Sequence, residues 1–319
     1  MSDDNTDPVA AGLSGSTDLY DVAEWEPRSA LDRAAVSLHG LLHASRRWLL
    51  VLLALVLFVA QLAGTVFLAV RQPELGVLGL LSALPALAIV GYVWYDDPTM
   101  REPVETLAIV FILSILFASI AALVNTLLRP VFSWVPVVGM VLYFFLVVGP
   151  IEETVKWLGI RIGAFDTMDA VVDGMVYGAV AGLGFATIEN ALYISQGYTQ
   201  AVSAQDASPI GAALRTATSR AFVGPGHVLY SAFAGYYLGL AKFNPDDAGP
   251  IVVKGLVIAA VIHAFYNTSV TYLPQLLPFW NGLVFVGFVI VFDASVGYVL
   301  YRKLQRYQSH YHEANGSEA

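Results

Sequence analysis

Residues 137–162 read VVGMVLYFFLVVGPIEETVKWLGIRI, an apolar run interrupted by two adjacent carboxylates and an ammonium, Glu152, Glu153 and Lys156. Its length predicts a membrane-spanning helix, because a hydrocarbon layer of about 30 Å takes about 20 helical residues. Inside such a helix an ionised side chain costs roughly 2.5 to 3.5 kcal/mol, so charge there needs partners or a function. Pro150 has no amide hydrogen, which leaves the Leu146 carbonyl without its helical donor and predicts a bend beside the charges. Glu152 and Lys156, four residues apart, share a face and can pair, while Glu153 is turned by about 100° toward a neighbouring helix.

The rest of the chain is of the same character. Of its 319 residues 57% are hydrophobic and 13% charged, with a mean hydropathy of +0.66. Soluble domains carry about 25% charged residues, so water-soluble classes are excluded and a multi-pass protein of the cell membrane is expected. Seven further apolar segments are long enough to span: 48–70, 75–95, 104–128, 170–194, 219–242, 251–273 and 279–301. The fold class is therefore all-α, a polytopic membrane protein with about eight transmembrane helices. Four of the sixteen basic residues, Arg71, Arg129, Arg215 and Arg220, fall on one side of that arrangement and twelve on the other. The excess of Lys and Arg expected inside gives an N-in, C-in topology, with Lys156 discounted if it serves function.

Around the bundle, taken as 48–301, residues 1–28 read as a disordered acidic cytoplasmic tail and 302–319 as a cytoplasmic C-terminal tail. The Ser29-Ala-Leu-Asp32 pattern resembles a helix cap, and Leu31, Ala35, Leu38 and Leu42 then share a face, predicting an interfacial amphipathic helix over 29–46. The first apolar run is too long for a signal-peptide core, so no cleaved leader is expected. With no cysteine, disulfides and thiol nucleophiles are excluded, and the net charge of -9 argues against a nucleic-acid partner.

Three other segments carry buried polar groups. Glu189 and Asn190 stand late in the 170–194 run, with Phe185 on the face of Glu189; earlier, Gly174, Gly178 and Gly182 recur every fourth residue and predict a close helix–helix seam. His227 follows Gly224, Pro225 and Gly226, glycines that leave room beside the ring, and Ser231 and Gly235 follow on roughly its side. His263 and Asn267, four residues apart, share a face of the next segment, 251–273. Counting at 1.5 Å per residue from a turn near Phe165 to Asp169 puts Glu152 and Glu189 roughly 20 to 30 Å from the cytoplasmic face. His227 and His263 fall at similar depth, so one polar layer between mid-membrane and the outer half is expected.

Together, Glu152-Glu153-x-x-Lys156, Phe185-x-x-x-Glu189, His227 and His263-x-x-x-Asn267 resemble the motifs of the PrsW family of intramembrane proteases, related more distantly to the CAAX prenyl protease and bacteriocin-processing group. The motif-bearing stretch, about 137–273, is the expected protease core. The resemblance implies cleavage of a membrane-anchored protein, in bacteria in connection with first-site cleavage of an anti-sigma factor. It assigns Glu152 and Glu153 to the paired glutamates, Glu189 to the second carboxylate motif and His227 and His263 to the two histidines. The distant relatives have Arg after Glu-Glu with one extra spacer and His where Glu189 stands, so their mechanism does not transfer directly.

Peptide hydrolysis needs a water, a base, a proton for the leaving amine and stabilisation of an oxyanion. The expected roles are Glu152 as base, Lys156 and Glu153 setting its charge state, His263 with Asn267 at the oxyanion, and Glu189 with His227 holding the water or serving as acid. The same groups suit metal-assisted hydrolysis, with Glu153, Glu189, His227 and His263 as ligands of Zn2+, whose bound water ionises near pH 7. Sequence does not separate these chemistries. Two other classes use buried Glu, His and Lys: a proton-coupled transporter, against which the lack of an internal repeat counts, and a non-catalytic membrane binding protein.

Overall fold

The structure, a computed structural model, describes residue 18 and residues 26–97, 99 and 101–315. Among the described residues every regular element is helical, and eight long helices follow in order: α1 Ala30–Arg71, α2 Pro73–Tyr95, α3 Val104–Ser133, α4 over 139–163, α5 Asp173–Ser203, α6 Pro209–Lys242, α7 Ala248–Leu276 and α8 Gly282–Asn315. Each covers all or nearly all of one of the eight expected apolar runs. Five of them, α2, α3, α5, α7 and α8, are long and apolar enough to cross a membrane. Large apolar side chains such as Leu80, Leu84, Leu283 and Val291 face outward, as they do where the surrounding solvent is hydrocarbon.

The acidic tail expected over 1–28 lies almost wholly outside the described residues. At Ser29 the expected cap is present: the Asp32 amide donates to Ser29 Oγ at 3.0 Å and the Ser29 amide to Asp32 Oδ2 at 2.7 Å. The helix begun there continues unbroken to Arg71, so the surface helix and the first span, expected as two elements, are one. The chain divides into two compact units within it, Met1–Leu50 and Val51–Ala319. The second unit holds everything described below. At its other end α8 carries the helix through most of the expected C-terminal tail, and Gln308 Nε2 donates to the Asp96 carbonyl at 2.7 Å.

Ahead of Pro150 the helix departs from regular α geometry. The turn ahead of it is a π-helix, Phe144–Val148, between α-helical Gly139–Tyr143 and Gly149–Gly163. The Gly149 amide reaches back five residues to the Phe144 carbonyl, the π-helical spacing, just before Glu152.

α5 and α6 form the central pair, flanked by α2, α3, α4 and α7. Their contact is the glycine seam: a Cβ at Gly174, Gly178 or Gly182 would collide with the carbonyl oxygens of Gly235, Ser231 and His227 in turn. Backbone-to-backbone approach therefore fixes the level of His227 and Ser231 against α5. Both helices extend past the expected spans, to Ser203 and from Pro209, because hydropathy marks where hydrocarbon ends and not where a helix does. Arg220, counted from sequence among the outer basic residues at the edge of the 219–242 span, lies well inside α6.

Candidate active site

Four helices deliver the sequence-identified polar groups to one place. From α4 come Glu152, Glu153 and Lys156, from α5 Glu189, from α6 His227 and from α7 His263; all but Glu189 are at most 4% exposed. Glu153 is its hub: Oε1 accepts from Lys156 Nζ at 2.7 Å and from His263 Nδ1 at 2.9 Å, and Oε2 from Ser231 Oγ at 3.1 Å. Lys156 therefore pairs three residues back, with Glu153, and not four back with Glu152. Its ammonium also meets His227 Nδ1 at 3.1 Å and lies 4.3 Å from the centre of the Phe185 ring. The Phe185 of the second motif thus lies against both Lys156 and His227.

His227 Nε2 stands 2.9 Å from Glu189 Oε2, and Arg220 pairs with the same carboxylate oxygen. Arg220 Nε also donates to Asn190 Oδ1 at 2.7 Å, while Asn190 Nδ2 donates to Ser82 Oγ on α2 at 3.0 Å. The charges thus alternate, Glu153, Lys156, Glu189 and Arg220, with the imidazoles between them. Such a buried set is stable only when its hydrogen bonds are made, as they are here.

Glu152 is different. Asn125 Nδ2 donates to its Oε1 at 3.0 Å, but Oε2 is buried and, among the described residues, has no hydrogen-bond partner. It faces His263 Nε2 at 3.7 Å. In the neutral ring, a proton on Nδ1 donated to Glu153 leaves His263 Nε2 with a lone pair. One carboxylate oxygen and one imidazole nitrogen, both uncommitted, therefore confront each other in a closed site.

Ligand atoms of Glu152, His227 and His263 all lie within 4.8 Å of one another. Two imidazoles and a carboxylate form a familiar catalytic zinc set, and the Glu153–His263 bond has the carboxylate–histidine form that orients a metal-ligating ring. The donor set fits a metal, with Glu152 in place of the Glu153 and Glu189 expected from sequence: both Glu153 oxygens are taken by Lys156, His263 and Ser231, and Glu189 Oε2 by Arg220 and His227. Asn267, expected at the oxyanion, is half-buried one turn beyond His263, and among the described residues no hydrogen bond joins it to the cluster.

Sequence reading missed Asn125, Ser82 and Arg220. Each was legible only as a polar residue in or beside an apolar run; which helix faces would meet was not written in any one segment.

Eight long helices, five of them apolar enough to cross a membrane, and a buried cluster of glutamates and histidines define a multi-pass membrane protein with a candidate hydrolytic site. The profile of the family described as PrsW family intramembrane metalloprotease matches residues 102–295, and the chain belongs to that family. The match begins before the expected core and ends after it, taking in α3, which supplies Asn125, and most of the apolar part of α8. The chain is 30% identical over 214 residues to Protease PrsW of Bacillus subtilis (strain 168), covering 62% of this chain and 89% of that protein. It is 26% identical over 239 residues to Protease PrsW of Clostridioides difficile (strain 630), covering 73% and 92%. No solved structure is significantly similar. The protein is an intramembrane protease, and its substrate is a protein in the membrane.

Proposed function

We propose that the site cleaves a membrane-anchored protein in the outer half of the bilayer, with Glu152 as the base that takes a proton from the attacking water. One observation carries this: Glu152 Oε2 is the buried carboxylate oxygen of the cluster with no partner among the described residues. Glu189 and His227 hold the water, and the proton taken by Glu152 goes to the leaving nitrogen. Glu153, bonded through both oxygens, positions Lys156 and His263 and is not itself a base. Where zinc is bound, Glu152, His227 and His263 would hold it, and it would supply an ionised water near neutral pH. His227 would then release Glu189, since both its ring nitrogens are engaged.

The outer-half depth rests on the N-in, C-in reading. Discounting Arg220 along with Lys156, since both serve the site, leaves eleven basic residues against three, and the direction is unchanged.

In cells co-expressing a single-span membrane substrate, Glu152→Gln is expected to abolish cleavage while the protein stays folded and inserted. Zinc content of the purified chain, with His263→Ala beside it, reads the metal separately. Full processing by Glu152→Gln would remove Glu152 from the mechanism; activity without stoichiometric zinc would remove the metal.

A further inference from the structure

Hydrolysis at this site leaves one role without a holder. The tetrahedral intermediate carries an oxyanion, and the two groups expected from sequence to meet it do not serve: Asn267 is not joined to the cluster, and His263 spends its ring proton on Glu153, so its Nε2 has none to donate. Lys156 and Arg220 are committed to carboxylates. A neutral donor facing the histidines, itself unengaged, is what the reaction requires.

Tyr230 on α6 meets that description. Its side chain is 1% exposed, and among the described residues no group hydrogen-bonds its hydroxyl. Leaving a buried hydroxyl unpaired costs about 1–3 kcal/mol, a cost that a structural tyrosine avoids by finding a partner or being phenylalanine. Its ring centre lies 5.3 Å from that of His263 and 6.3 Å from that of His227, so it borders both imidazoles. Room for the hydroxyl is made one turn back, where Gly226 has no Cβ; an added one would strike the Tyr230 oxygen. The glycine before His227 thus has a specific reason. Tyr266, also buried with an unpaired hydroxyl, borders Tyr230, Phe288 and Phe292 instead of the imidazoles.

We infer that the Tyr230 hydroxyl is a catalytic residue of this protease, donating to the oxyanion of the scissile peptide; this rests on the hydrolytic reading of Glu152 above. Water oxygen bonds to the carbonyl carbon, its proton goes to Glu152, and the C=O π pair moves onto the oxygen, where Tyr230 donates a hydrogen bond. Collapse re-forms the carbonyl and breaks the C–N bond, and the amine nitrogen takes the proton from Glu152.

The experiment uses the full chain in lipid with a single-span membrane peptide that the wild type cleaves. Tyr230→Phe keeps the ring against His263 and removes only the hydroxyl. Its kcat is expected to fall about 10²- to 10³-fold with KM and melting temperature unchanged, the scale seen for loss of one oxyanion donor. A phosphinic analogue of the peptide, which mimics the tetrahedral state, should lose affinity for Tyr230→Phe while an uncleavable ground-state peptide does not. Gly226→Ala, which displaces the hydroxyl without removing it, should reproduce the loss of kcat. Wild-type kcat in Tyr230→Phe, or equal weakening of both analogues, would overturn the assignment. Glu152→Gln run in parallel separates the two readings: if it is inactive while Tyr230→Phe is fully active, only the Tyr230 role falls, and if it cleaves, the hydrolytic reading itself falls.

Discussion

α5 carries two buried acid clusters, one at its start and one about midway along it, and the two are built on different principles. Near its start, Glu102 from the α2–α3 connection meets the Tyr177 hydroxyl, Asp173 Oδ2 accepts from the Asp169 and Ala170 amides at 2.6 and 2.7 Å, and Thr99 Oγ1 reaches Asp173 at 3.4 Å. Glu189, twelve residues beyond Tyr177 and so about 18 Å along the helix, belongs to the other cluster. In the first, acids are met by hydroxyls and backbone amides; among the described residues no ion pair reaches Asp97, Glu102 or Asp173. In the second, acids are interleaved with Lys156, Arg220 and two histidines, and one carboxylate oxygen is left over. Burying carboxylates is therefore common to a tether and to a reactive site. What separates them is fixed cations: an unpartnered buried carboxylate oxygen occurs in both, Asp97 Oδ2 in the first and Glu152 Oε2 in the second, but only the second sets Lys156 and Arg220 against its acids.

Removing a fixed cation should expose that difference most strongly. Lys156→Met leaves Glu153 buried with His263 and Ser231 as its remaining partners, a loss of the kind that costs about 3–5 kcal/mol. Cleavage is expected to fall at least about 10³-fold, as it does when a preorganised charge is removed from an active site. Glu102→Gln in the other cluster should leave the cleavage rate within about twofold. Comparable losses in the two variants, measured on the same peptide, would mean that both clusters serve the chemistry and that the contrast is false.

Gly178→Ala is the next perturbation in size, and it discriminates by helix. The new Cβ meets the Ser231 carbonyl across the seam and pushes α6 from α5. Overpacking of this kind costs about 1–3 kcal/mol. α6 brings His227, Ser231 and Arg220 to one cluster, whereas the Glu102 cluster draws on the α2–α3 connection. Activity is expected to drop about 10²-fold from misplacement of the order of an ångström. Gly76→Ala and Gly91→Ala, where an added Cβ meets nothing within 4 Å, should cleave as the wild type does. A Gly178→Ala enzyme as active as these controls would show that the seam does not position the site.

The same contrast explains what could be read from residues alone. Glu152, Glu153, Lys156, Glu189, His227 and His263 stood out because each is costly in an apolar helix, and the structure brings all six together. The partners that decide their states did not stand out. Asn125 is one amide in α3, Arg220 stood at the outer edge of its expected span, and Tyr230 is unremarkable until its hydroxyl is found unpaired. Likewise the choice of Glu153 over Glu152 as the partner of Lys156 follows from which neighbours α6 and α7 present, a tertiary fact that helical spacing does not contain. The Glu102 cluster was missed entirely, since its members lie at span ends where acids are ordinary.

That first cluster makes the mildest prediction, in pH. Burial pushes the Glu102 carboxyl up to about 8 from 4.5, with Asp173 adding to the rise and the Tyr177 hydroxyl opposing it. Burial raises Asp97 as well, against the hydrogen bonds from Thr99. Because the folded value lies above the unfolded one, the folded chain keeps a proton that the unfolded chain releases between 4.5 and about 8. Stability from this group is complete below the unfolded value and is lost as pH rises through that window. Melting temperature in lipid should therefore fall by a few degrees from about pH 6 to about pH 9. Glu102→Gln, an uncharged stand-in for the protonated acid, should flatten that slope while Lys156→Met, folded but inactive, keeps it. Equal slopes in Glu102→Gln and wild type would remove the proton from Glu102, and the α2–α3 connection would then be held to α5 by the Thr99 and Asp173 contacts instead.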